Sequence, residues 1–165
     1  MSMCIKETHY NCGTVKMRLY YSGDKLHRTN GPAEEWFYIN SALQHCVWHH
    51  NGEIHRMDDP AWESFYVNGA LELRAWYQQG KRHRADSPAY EEFYENGTLK
   101  HRRWYYHSQL HRFDGPAKEW FNKGGCLVTA EYYFNDECLS EEDYRRCVAL
   151  HKVLAQTTRD PGVSL

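Results

Sequence analysis

The stretch from Trp48 to Arg74, WHHNGEIHRMDDPAWESFYVNGALELR, decides the fold because it is one statement of a pattern that recurs every 28 residues. Parallel copies begin at Trp76 and Trp104, and a looser one at Tyr20. His27, His55, His83 and His111 keep the register, each followed by an arginine: Arg28, Arg56, Arg84 and Arg112. Pro32, Pro60, Pro88 and Pro116 come next, each with an alanine behind it, and Phe37, Phe65, Phe93 and Phe121 close the set. Self-similarity at a fixed period is the signature of a repeat architecture, in which each unit buries its apolar positions against its neighbours.

Turn signals cut each unit into short strands. Asn68-Gly69 and Asn96-Gly97 read as two-residue type I′ turns, which need positive φ at both positions. Asn51-Gly52 gives the same signal at a second turn, where Gln79-Gly80 and His107-Ser108 stand in the following units. The Asp-Gly-Pro-Ala segment marks a third boundary, since proline has no N–H to give to a ladder. Stretches rich in Tyr, Phe, Trp and Leu lie between these marks and read as strands. The reading is therefore mainly β: an open, twisted antiparallel meander of 28-residue β-hairpin units, two or three strands each. A closed β-solenoid of the same period is the rival.

The hairpin register follows by counting. A two-residue turn at 68–69 sets Val67 opposite Ala70, Tyr66 opposite Leu71 and Glu63 opposite Arg74; in the next unit Glu91 falls opposite Arg102. Opposite charges on directly paired residues contribute roughly 0.2–1 kcal/mol, and a slip of one residue would separate both pairs. At the other turn Trp48 falls opposite His55, Trp76 opposite His83 and Trp104 opposite His111. These counts place Ala, Glu, Phe, Trp and His on one face of the sheet and Tyr, Leu and Arg on the other.

The whole chain, 1–165, reads as one domain. Glu7, Tyr10 and Gly13 sit 28 residues before Glu35, Tyr38 and Ser41, so 7–19 is half a unit serving as an N-terminal cap. Four units fill 20–131, and a last strand occupies 132–139. Ser140-Glu141-Glu142-Asp143 opens a helix over 140–156, with acidic side chains at its positive end. Tyr144, Cys147, Val148, His151 and Leu154 form its apolar stripe, which folds over the last strand so that the edge is not left as a pairing template; pairing of two copies into a homo-dimer through this helix is the alternative. Residues 157–165 read as a frayed tail.

Composition narrows the function classes. A net charge of -2 points to no global field toward nucleic acid or membrane. No apolar run approaches the ~18 residues of a membrane span, and no signal peptide opens the chain. Cys4, Cys12, Cys46, Cys126, Cys138 and Cys147 show no CxxC spacing and do not follow the period, so they read as reduced thiols of a cytoplasmic protein. No P-loop, nucleophile elbow or HExxH is present. Adjacent carboxylates such as Glu91-Glu92 point to opposite faces of a strand. The chain reads as no enzyme, with no cofactor and no catalytic residue.

Units reading Tyr/Trp-x-x-Gly-x-x-His-Arg-x-Asp-Gly-Pro-Ala and then Phe-Tyr-x-Asn-Gly resemble the variant MORN-type repeats of bacteriophage and large-DNA-virus proteins. Phe65-Tyr66-Val67-Asn68-Gly69 and Leu110-His111-Arg112-Phe113-Asp114-Gly115-Pro116-Ala117 carry the likeness best, over about residues 7–135. The units are longer and poorer in glycine than usual for that family, a His-Arg pair replaces a common His-Gly, and Thr29-Asn30 and Asp59 depart from its consensus. The resemblance implies an open sheet of hairpins used for binding or scaffolding, a viral origin, and action in the host cytoplasm.

Three sets of side chains carry chemistry. The histidine row cannot share a metal ion, since residues one unit apart lie roughly 10–14 Å apart and zinc needs ligands at about 2.1 Å; packing against the paired tryptophan accounts for it. His45, Cys46, His49 and His50 have metal-ligand chemistry, but strand alternation divides them between faces. The arginines after the histidines stand two residues before Asn30, Asp58, Asp86 and Asp114, which suggests Arg–Asp pairs pinning the turn before proline. Lys81, Arg82, Arg84, Lys100, Arg103, Tyr105, Tyr106 and Arg112 form the candidate binding set, a basic and aromatic patch of a kind that holds nucleic acid by phosphate contact and stacking or a protein at its hot spots. Trp48, His55, Phe65, Trp76, His83, Phe93, Trp104, His111 and Phe121 are the structural positions. The leading expectation is a scaffold binding another protein, a host protein such as a defence component if the source is viral; nucleic-acid or nucleotide binding through the patch is the alternative.

Overall fold

The computed structural model describes residues 3–157. Ten strands follow one another across a single antiparallel sheet: β1 (Met3–His9), β2 (Val15–Ser22), β3 (Glu34–Phe37), β4 (Leu43–Val47), β5 (Trp62–Phe65), β6 (Leu71–Ala75), β7 (Tyr90–Phe93), β8 (Leu99–Arg103), β9 (Lys118–Phe121) and β10 (Leu127–Phe134). Spatial order equals chain order, and Lys25–Leu26 and Glu137–Leu139 bring the sheet to twelve strands. It is an open meander, as the turn signals dictate, and does not close on itself. β1 forms one edge and is exposed throughout.

The long hairpins do not turn as the Asn-Gly pairs suggest. Only Gly69 and Gly97 have positive φ (84° and 81°); the asparagines before them do not. The Gly69 N–H donates to the Tyr66 carbonyl and the Tyr66 N–H to the Ala70 carbonyl. This is a three-residue loop, a turn followed by a left-handed glycine. The Asn68 side chain accepts the Ala70 N–H at 2.9 Å, which is why asparagine suits that place. Phe65, not Tyr66, therefore pairs with Leu71, and the expected Tyr66–Leu71 and Val67–Ala70 pairs do not form. The register then shifts once more. Glu72 bulges out, Ser64 meets Leu73, and Glu63 meets Arg74 after all. The extra loop residue and the bulge cancel. Gln44, Lys100 and Val128 bulge at the same place in the other hairpins.

At the end of β4, β6 and β8 the chain continues into a separate small hairpin: His49–His50 with Glu53–Ile54, Tyr77–Gln78 with Lys81–Arg82, and Tyr105–Tyr106 with Gln109–Leu110. Here positive φ does occur at both turn residues: Asn51 and Gly52, Gln79 and Gly80, His107 and Ser108. The small hairpins link side by side, because the second turn residue donates its N–H to the hairpin before it: Gly52 to Leu26, Gly80 to Ile54, Ser108 to Arg82 and Asp136 to Leu110.

Two further contacts join each unit to the next. Tyr10, Tyr38, Tyr66 and Tyr94 donate their hydroxyls to the carbonyls of Phe37, Phe65, Phe93 and Phe121 at 2.7–3.0 Å. His27, His55, His83 and His111 accept, at Nδ1, the backbone N–H of Asn51, Gln79, His107 and Asn135 at 3.1–3.3 Å. The histidine rings thus brace neighbouring turns rather than packing on the tryptophans. No thick core exists, and no large side chain is fully buried among the described residues. Ala33, Ala61, Ala89 and Ala117, each with no exposed surface, mark the tightest points.

The helix α1 (Glu141–Thr157) starts where Ser140 caps it, its hydroxyl accepting the Asp143 N–H at 3.1 Å. Tyr144 and Val148 are buried, His151 packs on the rings of Phe113 and Phe134, and Leu154 is largely exposed. The Tyr144 hydroxyl donates to the Arg112 carbonyl and accepts the Gly115 N–H, and its ring packs 5.0 Å from that of Tyr132. The helix covers the end of the sheet as a cap. The tail beyond Thr157 lies outside the described residues.

Candidate functional site

One face of the sheet is a charge ladder. Reading across the strands, Glu7, Arg18, Glu35, Cys46, Glu63, Arg74, Glu91, Arg102 and Glu119 stand directly opposite one another in turn. Directly paired residues share a face, so the arginines belong with the glutamates, not on the opposite face. Each arginine has a glutamate on both sides. Arg74 donates to Glu91 at 2.6 Å and Arg102 bonds Glu119, so Arg102 does not spend its charge on its hairpin partner Glu91.

The second set of arginines lies over this ladder. Arg28, Arg56, Arg84 and Arg112 stack at 3.8–4.0 Å on the rings of Tyr20, Trp48, Trp76 and Trp104. Each donates to the carbonyl of the proline four residues on, at 3.1–3.4 Å. The expected pairing with an acid two residues on is seen at Arg112–Asp114 (2.6 Å), while Arg56 takes Asp59 instead. Proline carbonyl and ring recur; the aspartate is incidental.

Cys46 interrupts the ladder where Arg18, Arg74 and Arg102 stand in other units. Burial, with Glu63 and Glu35 adding to it, pushes its thiol up to about 11, and burial raises Glu63 as well. Substituting Cys46→Arg places a cation between two carboxylates. It raises stability by about 1 kcal/mol and brings the Glu63 carboxyl back down; a lower urea midpoint for the variant would show that burial of the thiol outweighs the missing charge.

The opposite face is aromatic. Trp36 stacks on His45 (5.5 Å) and His45 packs near Trp62 (6.3 Å); Tyr90 stacks on His101 (5.0 Å), which lies 6.2 Å from Trp120. Trp36, Trp62, Tyr90 and Trp120 are all half-buried, with Ile54 and Tyr77 of the small hairpins packed beside Trp62 and Tyr90. His101 is buried, and desolvation followed by the nearby Arg103 charge pushes its imidazole down to about 4. Sequence reasoning missed this row; its signal was the bulky residue that follows the invariant alanine at Trp62 and Tyr90.

The candidate binding set does not assemble into one patch. Arg84 and Arg112 lie over Trp76 and Trp104 on the ladder face. Lys100 is held by Glu92 at 2.5 Å. Lys81 and Tyr106 are exposed on the small hairpins, Tyr106 packing against His83 and His107. Arg82, Arg103 and Tyr105 come together around Tyr90 on the aromatic face. The His45–His50 cluster is split as alternation requires: Cys46 faces the ladder, His45 faces Trp36, His49 meets Glu34 at 3.4 Å, and His50 packs on His27. Among the described residues no group of three His, Cys, Asp or Glu side chains is placed to hold a metal ion. All six cysteines are free thiols. No described helix is long and apolar enough to cross a membrane. No protein-family model, curated protein or solved structure matches the chain.

Proposed function

We propose that the chain is a non-enzymatic scaffold that binds another protein through the aromatic face of its sheet. The observation that carries this reading is the row of half-buried rings at Trp36, Trp62, Tyr90 and Trp120, each keeping part of its surface open to solvent. Trp and Tyr dominate binding hot spots because they offer large, rigid area that desolvates well. The ladder face is less suited, since its charges already satisfy one another. The likeness to MORN-type repeats supports a binding or scaffolding role, and with a viral source the partner is a host protein that the chain blocks or sequesters. The nucleic-acid reading draws less support, because Lys100, Arg84 and Arg112 are engaged within the fold.

The test is capture from host-cell lysate with and without nuclease, using the wild type, a W36S/W62S/W120S variant and an R18Q/R74Q/R102Q variant. A discrete protein band should survive nuclease with the wild type and the ladder variant. Removing three anchors should weaken it by roughly 30-fold or more while circular dichroism stays unchanged. Loss of the band in the ladder variant alone would refute the assignment of the face, and recovery that disappears with nuclease would transfer the function to nucleic acid.

A further inference from the structure

On the aromatic face the 28-residue period is broken at two neighbouring positions by the same kind of residue. Arg82 stands where Leu26, Ile54 and Leu110 stand in the other small hairpins, and Arg103 stands where Val47 and Ala75 stand in the sheet. In the preceding unit that place is apolar packing: Ala61, Ala75 and Tyr77 with Ile54, Trp62 and Tyr90. Both arginines have left this packing half-buried, and both guanidinium groups lie 5.3 Å from the centre of the Tyr90 ring.

Neither has a carboxylate partner among the described residues, a lack shared by Arg84, which instead donates to the Pro88 carbonyl, whereas Arg18, Arg28, Arg56, Arg74, Arg102 and Arg112 all have one. Arg82 donates its Nε to the Tyr77 hydroxyl at 2.8 Å and is ringed by Tyr77, Tyr90 and Tyr105. The Nε of Arg103 is buried with no acceptor. Directly opposite Arg103 stands a third cation, Lys118, where like charges face each other across the ladder. The acids on this side are committed: Glu92 to Lys100 and the Tyr90 hydroxyl, Glu131 to Lys118 and the Tyr133 hydroxyl. Charge withdrawn from water without a partner is costly, and a local break in an otherwise consistent pattern marks function more often than stability.

We propose that Arg82 and Arg103 form a binding site for a phosphoryl oxyanion, taken as free phosphate or as the phosphate of a small monoester. Guanidinium groups suit this ligand because their forked N–H donors match its oxygens. Both charges lie 5.3 Å from the centre of the Tyr90 ring, and Lys118, itself paired with Glu131, adds positive potential beside them. The site goes beyond the protein-binding reading and stands without it.

The full chain is titrated with inorganic phosphate and, separately, with adenosine monophosphate, with ionic strength held constant by chloride. Binding is read by calorimetry and by the shift of the unfolding midpoint. The R82I/R103A variant restores the residues of the preceding unit and so keeps the packing; R82K/R103K keeps the charge and loses the fork. Phosphate should bind saturably and raise the midpoint where chloride does not. The Ile/Ala variant should lose roughly 30-fold or more in affinity, and the Lys/Lys variant roughly tenfold. Tighter binding of the nucleotide names the monoester as ligand, and equal binding names the free anion. Phosphate acting no better than chloride, both variants binding like the wild type, or binding confined to a single-stranded oligonucleotide in a fourth arm would each overturn the site.

Discussion

Replacing Arg112 with alanine lowers the stability of the fold by about 3 kcal/mol. Four interactions leave with the side chain. Its guanidinium lies 3.8 Å above the Trp104 ring, donates to the Pro116 carbonyl at 3.1 Å, and pairs with Glu119 at 3.3 Å and Asp114 at 2.6 Å. Glu119 is buried, so it is left with Arg102 alone. Breaking a buried pair from one side costs about 3–5 kcal/mol. The exposure of Asp114 and the remaining Arg102 contact hold the figure to the lower end. Arg112→Lys recovers little, because a lysine neither stacks flat on the indole nor reaches carbonyl and carboxylate together. Urea denaturation of the three proteins measures this. The same samples report on Asp114, whose carboxyl Arg112 holds below its ordinary range and which should rise in the alanine variant. A loss below about 1 kcal/mol, or a lysine variant equal to the wild type, would mean that ring and carbonyl contacts contribute nothing beyond charge.

Acid should unfold the protein before its carboxylates are protonated. His101 sits buried against Tyr90, with desolvation and the Arg103 charge holding it near 4, and burial also lowers His45, His83 and His111. A group whose folded pKa is depressed favours its neutral form in the fold. The unfolded chain takes up a proton near 6.5, so stability is complete above that pH. It falls as pH drops below 6.5, and the loss from His101 is finished at about 4. His101 alone contributes roughly 3 kcal/mol over this window. His83 and His111 add to it in the same direction, since protonating Nδ1 removes the acceptor that each gives to the next turn. Glu34, lowered chiefly by its bond to His49, adds its own loss only below about 4.5. Thermal midpoints between pH 7.5 and 4.5 test this, and His101→Leu, which copies Leu73 of the preceding unit, should flatten the curve. A midpoint that holds steady from 6.5 to 4.5 would contradict the burial of these imidazoles.

Strand order and the open meander were legible because glycine, asparagine and proline fix where the backbone can turn; strand number was not, since the second turn of each unit closes a separate small hairpin and makes four strands rather than two or three. The bonds that seat the helix were not, since they run from the Tyr144 hydroxyl to backbone groups of Arg112 and Gly115. The loop at Asn68-Gly69 misled because two deviations cancel: the three-residue turn shifts the register by one and the Glu72 bulge shifts it back. Counting reached the right Glu63–Arg74 pair through the wrong turn. Faces were harder. Arg74 and Arg102 were set apart from the glutamates although direct pairing puts them together. The partner each arginine takes depends on the strand beyond its own hairpin. The histidine row hid its role because its hydrogen-bond donor is a backbone N–H 24 residues away, which no side-chain pattern announces. The eight residues of the basic patch were close in sequence, yet the fold parts Arg84 and Arg112 from Arg82 and Arg103.

The sheet holds its strands in chain order, with β1 at one edge and α1 at the other, and its braces reach only from one unit to the next. Tension applied between those two edges acts across the strands rather than along them. The backbone hydrogen bonds are then loaded one after another, like the teeth of a zip, and never as a row in parallel. Such a molecule yields at low force and in steps, each releasing a 28-residue length of about 9 nm, while the units deeper in the array keep their contacts. Its rigidity is that of a stack under compression, and under extension it behaves as a graded tether.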